Sequence, residues 1–285
     1  MKSMPSVPAQ EVDALLRVKN LRINFRSHGR TVEAVRGVSF TMGREKLAIV
    51  GESGSGKSLT ARSFLKLVQP IATVTAERLE FRNIDILRQT EREMRRIRGS
   101  RITMVMQDPR YSLNPVIKVG DQVAGAARLH QRISRGEARE KALQMFESVH
   151  IRDPERVYEL YPHEVSGGMG QRVMLAIMLI TDPEILIADE ATSALDVTVQ
   201  LQVLSILDEQ VRMRGMGLLF ISHDLNLVQR FCERIIVMRR GEIVETIAAT
   251  DLRKSTHPYT RGLLESAPRI GGPRTDLPVL NRAEG

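Results

Sequence analysis

The sequence feature that most constrains the fold of this chain is the segment GESGSGKS at residues 51–58. It fits the pattern G-x-x-x-x-G-K-[ST], follows the apolar run KLAIV, and precedes apolar residues at helical spacing over 58–68. Glycines allow the backbone to curl so that successive N–H groups face one phosphate group. A glycine-rich turn that binds nothing is the alternative, but a strand before it and a helix after it favour a phosphate-binding loop.

Two side chains at the end of this loop add chemistry to the backbone cradle. Lys57 is expected to reach the β- and γ-phosphates of a nucleoside triphosphate, and the Ser58 hydroxyl to ligate Mg²⁺. The helix predicted to begin near Lys57 directs the positive end of its dipole at the same anion.

A second motif is the apolar run ILIADE at residues 185–190, which ends in two carboxylates. Successive strand residues point to opposite faces, so Asp189 and Glu190 are expected to have different surroundings. We predict that Asp189 holds Mg²⁺, directly or through water, and that Glu190 polarises the water that attacks the γ-phosphate. A solvated strand end is the commoner explanation of such a pair, but a neighbouring phosphate loop reverses that preference.

The order of apolar runs along the chain predicts an α/β fold. We expect a mostly parallel core sheet, an N-terminal antiparallel β region and an inserted helical subdomain. The supporting segments are two strands within 15–42 separated by a polar turn at 28–30, buried strands at 46–51, 184–190 and 217–223, a helix with an apolar stripe of Val197, Leu201, Leu204, Leu207 and Val211, a hairpin over 234–245 turning near Gly241, and an arginine-rich, mostly helical middle over 91–163.

Composition excludes several classes of protein. The 285 residues are 42% apolar and 27% charged, which excludes disordered and fibrous classes. The longest apolar run, 173–180, is far shorter than the roughly 18–20 residues of a membrane-spanning helix, and the start of the chain has no secretory apolar region. With Cys232 as the single cysteine, no internal disulfide is possible, and a reducing, cytoplasmic setting is expected.

The net charge of +8 leaves nucleic-acid binding open. Residues 88–101 contain six arginines and two glutamates, and residues 128–141 contain five Arg/Lys and two glutamates. Such mixtures are more often solvated helix faces. Aromatic residues make up only 4% of the chain and give few platforms for stacked bases, so this function is less favoured.

The segment VSGGMGQRVMLAIMLI at 165–180 is a Ser-Gly-Gly turn that leads into a helix. Together with the two preceding motifs, it resembles the signature sequence of ABC-type ATPases. Gln107, after the apolar run ITMVM, resembles the Q-loop glutamine of that family, and His223 resembles the histidine that senses the γ-phosphate. Phe25 occupies the position of the aromatic residue that stacks on adenine. The resemblance extends from about residue 15 to residue 264.

This resemblance implies an ATPase that uses ATP and Mg²⁺. The implied catalytic residues are Glu190, His223 and Lys57; the implied nucleotide-binding residues are Phe25, Gly51, Glu52, Ser53, Gly54, Ser55, Gly56, Lys57, Ser58, Gln107, Ser166, Gly167 and Gly168; and the implied metal ligands are Ser58, Gln107 and Asp189.

The resemblance also implies partners. Two ATPase subunits, identical or related, would close head to tail around two ATP molecules, so that Ser166, Gly167 and Gly168 complete the site of the other subunit. Two membrane-spanning permease subunits would dock near Gln107 and the 108–115 loop, and a solute-binding protein would deliver the cargo. No nucleic acid is expected as a partner. The expected location is peripheral, on the cytoplasmic face of the inner membrane.

Three strings resemble the peptide/nickel branch of ABC importers, which includes oligopeptide and dipeptide systems: QDPRYSLNP, SGGMGQRV, and HPYTRGLL at 257–264. The chain has Ala191 where the family usually has proline, and Gly170 where it usually has arginine. Because no cysteine follows 257–264, the iron–sulfur centre of many relatives is not expected. A dipeptide, an oligopeptide, an opine-like conjugate and a nickel complex all stay open as cargo.

Two other classes of ABC ATPase are alternatives to the importer. A DNA-repair or chromosome-structuring ATPase fits the positive charge but carries long coiled-coil or zinc-bearing insertions, for which this chain has neither heptads nor cysteines. A translation-factor type carries two phosphate loops, and this sequence contains one. We expect a loose arm over 1–13, an ATPase domain over 14–256 with the helical subdomain at about 91–170, and a C-terminal extension and tail over 257–285.

Overall fold

The computed structural model describes residues 14–27, 30–105, 113–191 and 196–266. Its strands are β1 (Leu16–Ser27), β2 (Arg30–Met42), β3 (Lys46–Val50), β4 (Ala72–Thr75), β5 (Arg78–Phe81), β6 (Ile84–Asp85), β7 (Ile102–Val105), β8 (Ile185–Asp189), β9 (Gly217–Ile221), β10 (Arg234–Arg239) and β11 (Glu242–Ala248). Its α-helices are α1 (Lys57–Ser63), α2 (Glu91–Met94), α3 (Val119–His130), α4 (Arg135–Ser148), α5 (Pro154–Tyr158), α6 (Gly167–Leu179), α7 (Val197–Arg214), α8 (Leu225–Phe231) and α9 (Pro258–Ser266), and short 3₁₀ helices span Pro162–Glu164 and Ala249–Lys254.

The core sheet has the strand order β11-β10-β3-β9-β8-β7 within the described residues. Neighbouring strands from β10 to β7 are parallel, and β11 is antiparallel to β10. The apolar runs of β8 and β9 are buried at every position, as expected for parallel strands covered on both faces. The carboxyl ends of β3, β8 and β9 therefore meet at one edge, where the segments after these strands carry the candidate site.

A second, antiparallel sheet is built on β1, with β2 on one side and β4 and β5 on the other. The predicted N-terminal antiparallel region is confirmed. The alternation of β3 shows how the layers join: Leu47 and Ile49 pack with Leu21, Val35 and other residues of the antiparallel sheet. The alternate residues of β3, at positions 48 and 50, point to the opposite face, into a core built largely from helices.

The helical part of the chain, defined as α3 to α6, lies between β7 and β8. Helices α3, α4 and α6 pack together around buried apolar side chains such as Phe146 and Val173. Helix α4 begins with a capping box, in which the Ser134 hydroxyl accepts from the Glu137 N–H and the Glu137 carboxylate accepts from the Ser134 N–H. These helices all follow β7, which belongs to the core sheet. The subdomain boundaries of about 91–170 stay a prediction.

One helical prediction differs from the structure and another is confirmed. The helix expected over 58–68 ends at Ser63, and the chain turns at Lys66, whose φ is +50°. The helix predicted from the apolar stripe is confirmed as α7, but Val197 and Leu201 at its start are 68% and 59% exposed. These two residues line an open groove between α7, α8 and α9, and the buried residues of α7 begin at Val203. None of the helices in the described residues is long and apolar enough to cross a membrane.

Candidate functional site

The loop at 51–58 joins the buried strand β3 to α1, and its path depends on glycine. Gly51 and Gly56 have φ values of +149° and +98°, a region that L side chains rarely adopt. A Cβ on Gly51 would lie 2.1 Å from the Met238 carbonyl oxygen, and one on Gly56 would lie 2.8 Å from the Ala34 carbonyl oxygen. The neighbouring backbone therefore leaves no room for a side chain at either position.

Residues far away in the sequence hold this loop from outside. The Gly241 N–H, in the turn between β10 and β11, donates to the Ser55 carbonyl oxygen at 3.0 Å. The Gly241 carbonyl oxygen accepts from the Arg36 N–H of β2 at 2.8 Å. On the other side, the Glu52 N–H donates to the Tyr259 hydroxyl of α9 at 3.2 Å. The loop is thus a fixed part of the fold.

Lys57 is buried at the centre of the loop. Its Nζ donates to the carbonyl oxygens of Gly51 and Glu52, both at 2.8 Å, and lies 3.4 Å from the Ser55 hydroxyl. Burial lowers the pKa of Lys57, and the nearby carboxylates of Glu190, Asp189 and Glu52 oppose this by favouring the ammonium form. The amino group of Lys57 is therefore held by two backbone carbonyl oxygens of the loop.

Two of the three predicted metal ligands, Ser58 and Asp189, lie side by side. The Ser58 hydroxyl at the start of α1 donates to Asp189 Oδ1 at the end of β8, at 2.7 Å. Burial raises the pKa of Asp189, while the Ser58 hydrogen bond and the charges of Arg62 and Lys57 lower it. A hydroxyl beside a carboxylate is a donor set that suits Mg²⁺, a cation that prefers oxygen ligands.

Glu190 and His223 are brought together at the ends of adjacent strands. Glu190 has a left-handed backbone with φ +50°, and its N–H donates to the Ile221 carbonyl oxygen at 3.0 Å. Positive φ is uncommon for a residue with a side chain and recurs at functional sites. Glu190 Oε1 lies 3.7 Å from Nδ1 of the exposed His223. A carboxylate in this position is suited to accept a proton, and the imidazole can contact the same region.

The Ser-Gly-Gly turn lies at the start of α6, where Ser166 is the N-cap residue. Its hydroxyl accepts from the Met169 N–H at 3.3 Å. Ser166 and Gly167 are exposed, and a Cβ on Gly167 would meet no atom within 4 Å. Gly168 is half-buried beside Val199 of α7. No hydrogen bond joins Ser166 to the loop at 51–58 within the described residues.

The other predicted site residues differ in where the structure places them. Ser53 and Gly54 are exposed in the loop. Phe25 lies in β1, half-buried, opposite Val32 of β2 and Ala72 of β4. Its stacking on adenine stays a prediction. Gln107 lies outside the described residues, so its two expected roles also stay predictions.

Sequence reasoning missed the residues that support the loop. Tyr259 belongs to the string HPYTRGLL, which indicates the family branch, and Gly241 marks a hairpin turn, and neither pattern indicates a contact with the loop. A local motif gives no signal for such contacts, since the Tyr259 hydroxyl meets a residue 207 positions earlier in the chain.

Comparison with known proteins connects this geometry to a family. Residues 35–193 match the ABC transporter family. The chain is 48% identical over 275 residues to the probable peptide ABC transporter ATP-binding protein y4tR of Sinorhizobium fredii, covering 95% of this chain and 82% of that protein. It is 45% identical over 262 residues to the dipeptide transport ATP-binding protein DppD of Bacillus subtilis, covering 91% of this chain and 78% of that protein.

A solved structure supports the same fold. The dimeric structure of a post-hydrolysis state of an ATP-binding cassette, bound to ADP and Pi, superposes with a TM-score of 0.72. It is 26% identical to this chain and covers 82% of this chain and 98% of its own length.

Proposed function

This chain belongs to the ABC transporter family, and we propose that it powers the import of a peptide-like solute through separate membrane-spanning subunits. As a member of the family it binds and hydrolyses ATP. The observation that carries the assignment of the site is the 2.7 Å contact between Ser58 and Asp189, beside the buried Lys57. The printed names of the two curated relatives, a peptide and a dipeptide transport ATP-binding protein, support the solute class.

The phosphates of ATP would lie in the loop at 51–58, where backbone N–H groups and Lys57 supply positive charge. The ammonium of Lys57 has three donors, of which the Gly51 and Glu52 carbonyl oxygens take two at 2.8 Å. The third donor makes only a long contact of 3.4 Å to the Ser55 hydroxyl, and it would turn to a phosphate oxygen when ATP binds. Ser58 and Asp189 would hold Mg²⁺, and the metal when bound neutralises phosphate charge.

For hydrolysis, Glu190 would accept a proton from the water that attacks the γ-phosphate, giving ADP and inorganic phosphate. The hydrogen bond from its N–H to the Ile221 carbonyl oxygen fixes the backbone of Glu190 directly after β8. His223, 3.7 Å from Glu190, is exposed and would contact the γ-phosphate from the adjacent strand.

We assign Ser166 and Gly167 to the site of a second ATPase subunit. Their exposure, together with the open space at Gly167, leaves this turn ready to meet another surface. The dimeric state of the solved ATP-binding cassette supports such an arrangement. The second subunit, identical or related, two permease subunits, an indirect solute-binding protein, and a peripheral place on the cytoplasmic side of the inner membrane complete the proposal.

The decisive experiment is reconstitution of this chain with its cognate membrane subunits and solute-binding protein in vesicles. Labelled dipeptide should accumulate only with ATP and Mg²⁺, and the Lys57→Ala complex should not accumulate it. A nickel complex and an opine-like conjugate are run in parallel to fix the solute class. Hydrolysis that is stimulated by duplex DNA and not by the membrane complex would overturn the proposal in favour of a nucleic-acid ATPase.

A further inference from the structure

Tyr259, near the start of α9, reaches the phosphate loop from a segment that the proposed mechanism does not use. Its hydroxyl accepts the Glu52 N–H at 3.2 Å, and the residue is 6% exposed. Its ring lies beneath the Arg239 guanidinium, 5.0 Å from ring centre to the guanidinium carbon, at the end of β10. A buried ring packed in this way has little freedom, so its hydroxyl is a fixed acceptor.

The Glu52 N–H and the Gly51 carbonyl belong to one peptide group. In a trans peptide the N–H and C=O point in opposite directions within one rigid plane. The N–H of this plane is held by Tyr259, and its carbonyl oxygen accepts from Lys57 Nζ at 2.8 Å. A rotation of the plane would therefore break both hydrogen bonds together.

We propose that Tyr259 is a positioning residue that orients the Lys57 ammonium toward ATP by fixing the Gly51–Glu52 peptide plane. This inference rests on the proposed role of Lys57 in binding phosphate. Loss of the Tyr259 hydroxyl frees the plane to rotate, and the Gly51 carbonyl then holds Lys57 less well. ATP affinity falls although no group that touches ATP has changed.

A cluster around Glu245 of β11 fastens the start of α9. The Glu245 carboxylate accepts from the Ser255 hydroxyl, at 2.9 and 2.7 Å to its two oxygens, and from the Thr260 hydroxyl. Thr260 is fully buried next to Tyr259 in the chain. Burial raises the pKa of the Tyr259 hydroxyl. The hairpin that supports the loop at Gly241 thus also holds the helix that carries Tyr259.

The test is Tyr259→Phe in the full chain, measured by equilibrium titration with ATP and by thermal melting with and without ATP. Loss of this partly buried hydrogen bond is expected to weaken ATP binding by about threefold to tenfold. The rise in melting temperature caused by ATP should shrink in parallel. Tyr158→Phe is the matched control, because the Tyr158 hydroxyl bonds to Asp121 in the helical part of the chain, and it should bind ATP like the wild type.

A second variant, Thr260→Val, removes the hydroxyl that fastens α9 and leaves the Tyr259 side chain intact. It should weaken ATP binding in the same direction but by less than Tyr259→Phe. The inference is overturned if Tyr259→Phe lowers the melting temperature without ATP yet keeps wild-type ATP affinity, since the tyrosine is then only structural. Lys57→Ala separates the two proposals: if it binds ATP like the wild type, the proposed function of the loop itself is wrong.

Discussion

The phosphate loop at 51–58 and the Ser-Gly-Gly turn at 166–168 have similar local chemistry and very different surroundings. Both are glycine-rich and lead into a helix, α1 and α6 respectively. A Cβ added at Gly51 would collide with backbone at 2.1 Å, whereas one added at Gly167 would meet nothing within 4 Å. The chain thus encloses the loop at Gly51, although Ser53 and Gly54 are exposed, whereas the turn faces open space at Gly167.

This difference predicts that the loop is a complete binding surface within one chain and that the turn is half of a surface shared with a second subunit. The loop at 51–58 has its cation, its hydroxyl and a carboxylate from β8 within the chain. The turn at Ser166 has a hydrogen bond only to its own helix start in the described part of the chain. We therefore expect changes in the loop to act on the isolated subunit and changes in the turn to act on the assembly.

The largest expected effect is that of Lys57→Ala on ATP binding by the isolated subunit. The substitution removes the buried cation that is held by two loop carbonyl oxygens. Binding should be lost in an equilibrium titration, and uptake should fail in the reconstituted complex. A wild-type affinity would show that the loop at 51–58 is not the phosphate site.

Glu190→Gln should preserve binding but not turnover. The amide keeps the shape of the side chain and loses the carboxylate that is proposed to accept the proton, and loss of a general base typically lowers the rate by about 10²–10⁴-fold. The measurement is ATP turnover of the assembled complex beside ATP affinity of the subunit. Near-normal turnover would mean that another residue is the catalytic base.

Ser166→Arg tests the open side of the comparison. The long cation would occupy the space into which a second subunit's γ-phosphate is proposed to fit, while residues 51–58 stay unchanged. Hydrolysis in the assembly should fall by about 10²–10³-fold, the usual cost of losing donors aimed at developing charge. ATP affinity of the isolated subunit should stay at the wild-type value.

The contrast with Lys57→Ala makes this result decisive. If Ser166→Arg weakens ATP binding by the isolated subunit as strongly as Lys57→Ala does, then Ser166 belongs to the site of its own chain. The head-to-tail arrangement would then be wrong.

The smallest effects are expected from a pair of alanine substitutions measured by thermal or denaturant unfolding. Gly51→Ala should lower the free energy of unfolding by about 1–3 kcal/mol, because the new Cβ overpacks the site against the Met238 carbonyl oxygen. Gly167→Ala should change it by no more than about 0.5 kcal/mol, since the position is exposed and open. Equal losses for the two variants would contradict the difference in enclosure.

The sequence predicted the α/β architecture because its signals are local. Buried parallel strands are continuous apolar runs, and the phosphate pattern stands directly after one of them, so both the sheet and the meeting of Ser58 with Asp189 could be expected. The exposed start of α7 could not be predicted from its apolar stripe, since exposure depends on what packs against the helix. The support from Tyr259 and Gly241 was missed for the same reason: it joins residues that no motif links.

The hydrogen bond between the Gly241 N–H and the Ser55 carbonyl oxygen has a consequence for biosynthesis. A nascent chain that has emerged only as far as α7 contains the whole glycine motif but lacks β10 and the turn that holds it. Closing such long separations comes late in folding, because the entropy of the intervening chain must first be overcome. ATP bound in the loop would therefore stabilise the finished fold and not such a chain, and at a concentration of 100 times its Kd it would add about 2.7 kcal/mol to the stability of the finished fold.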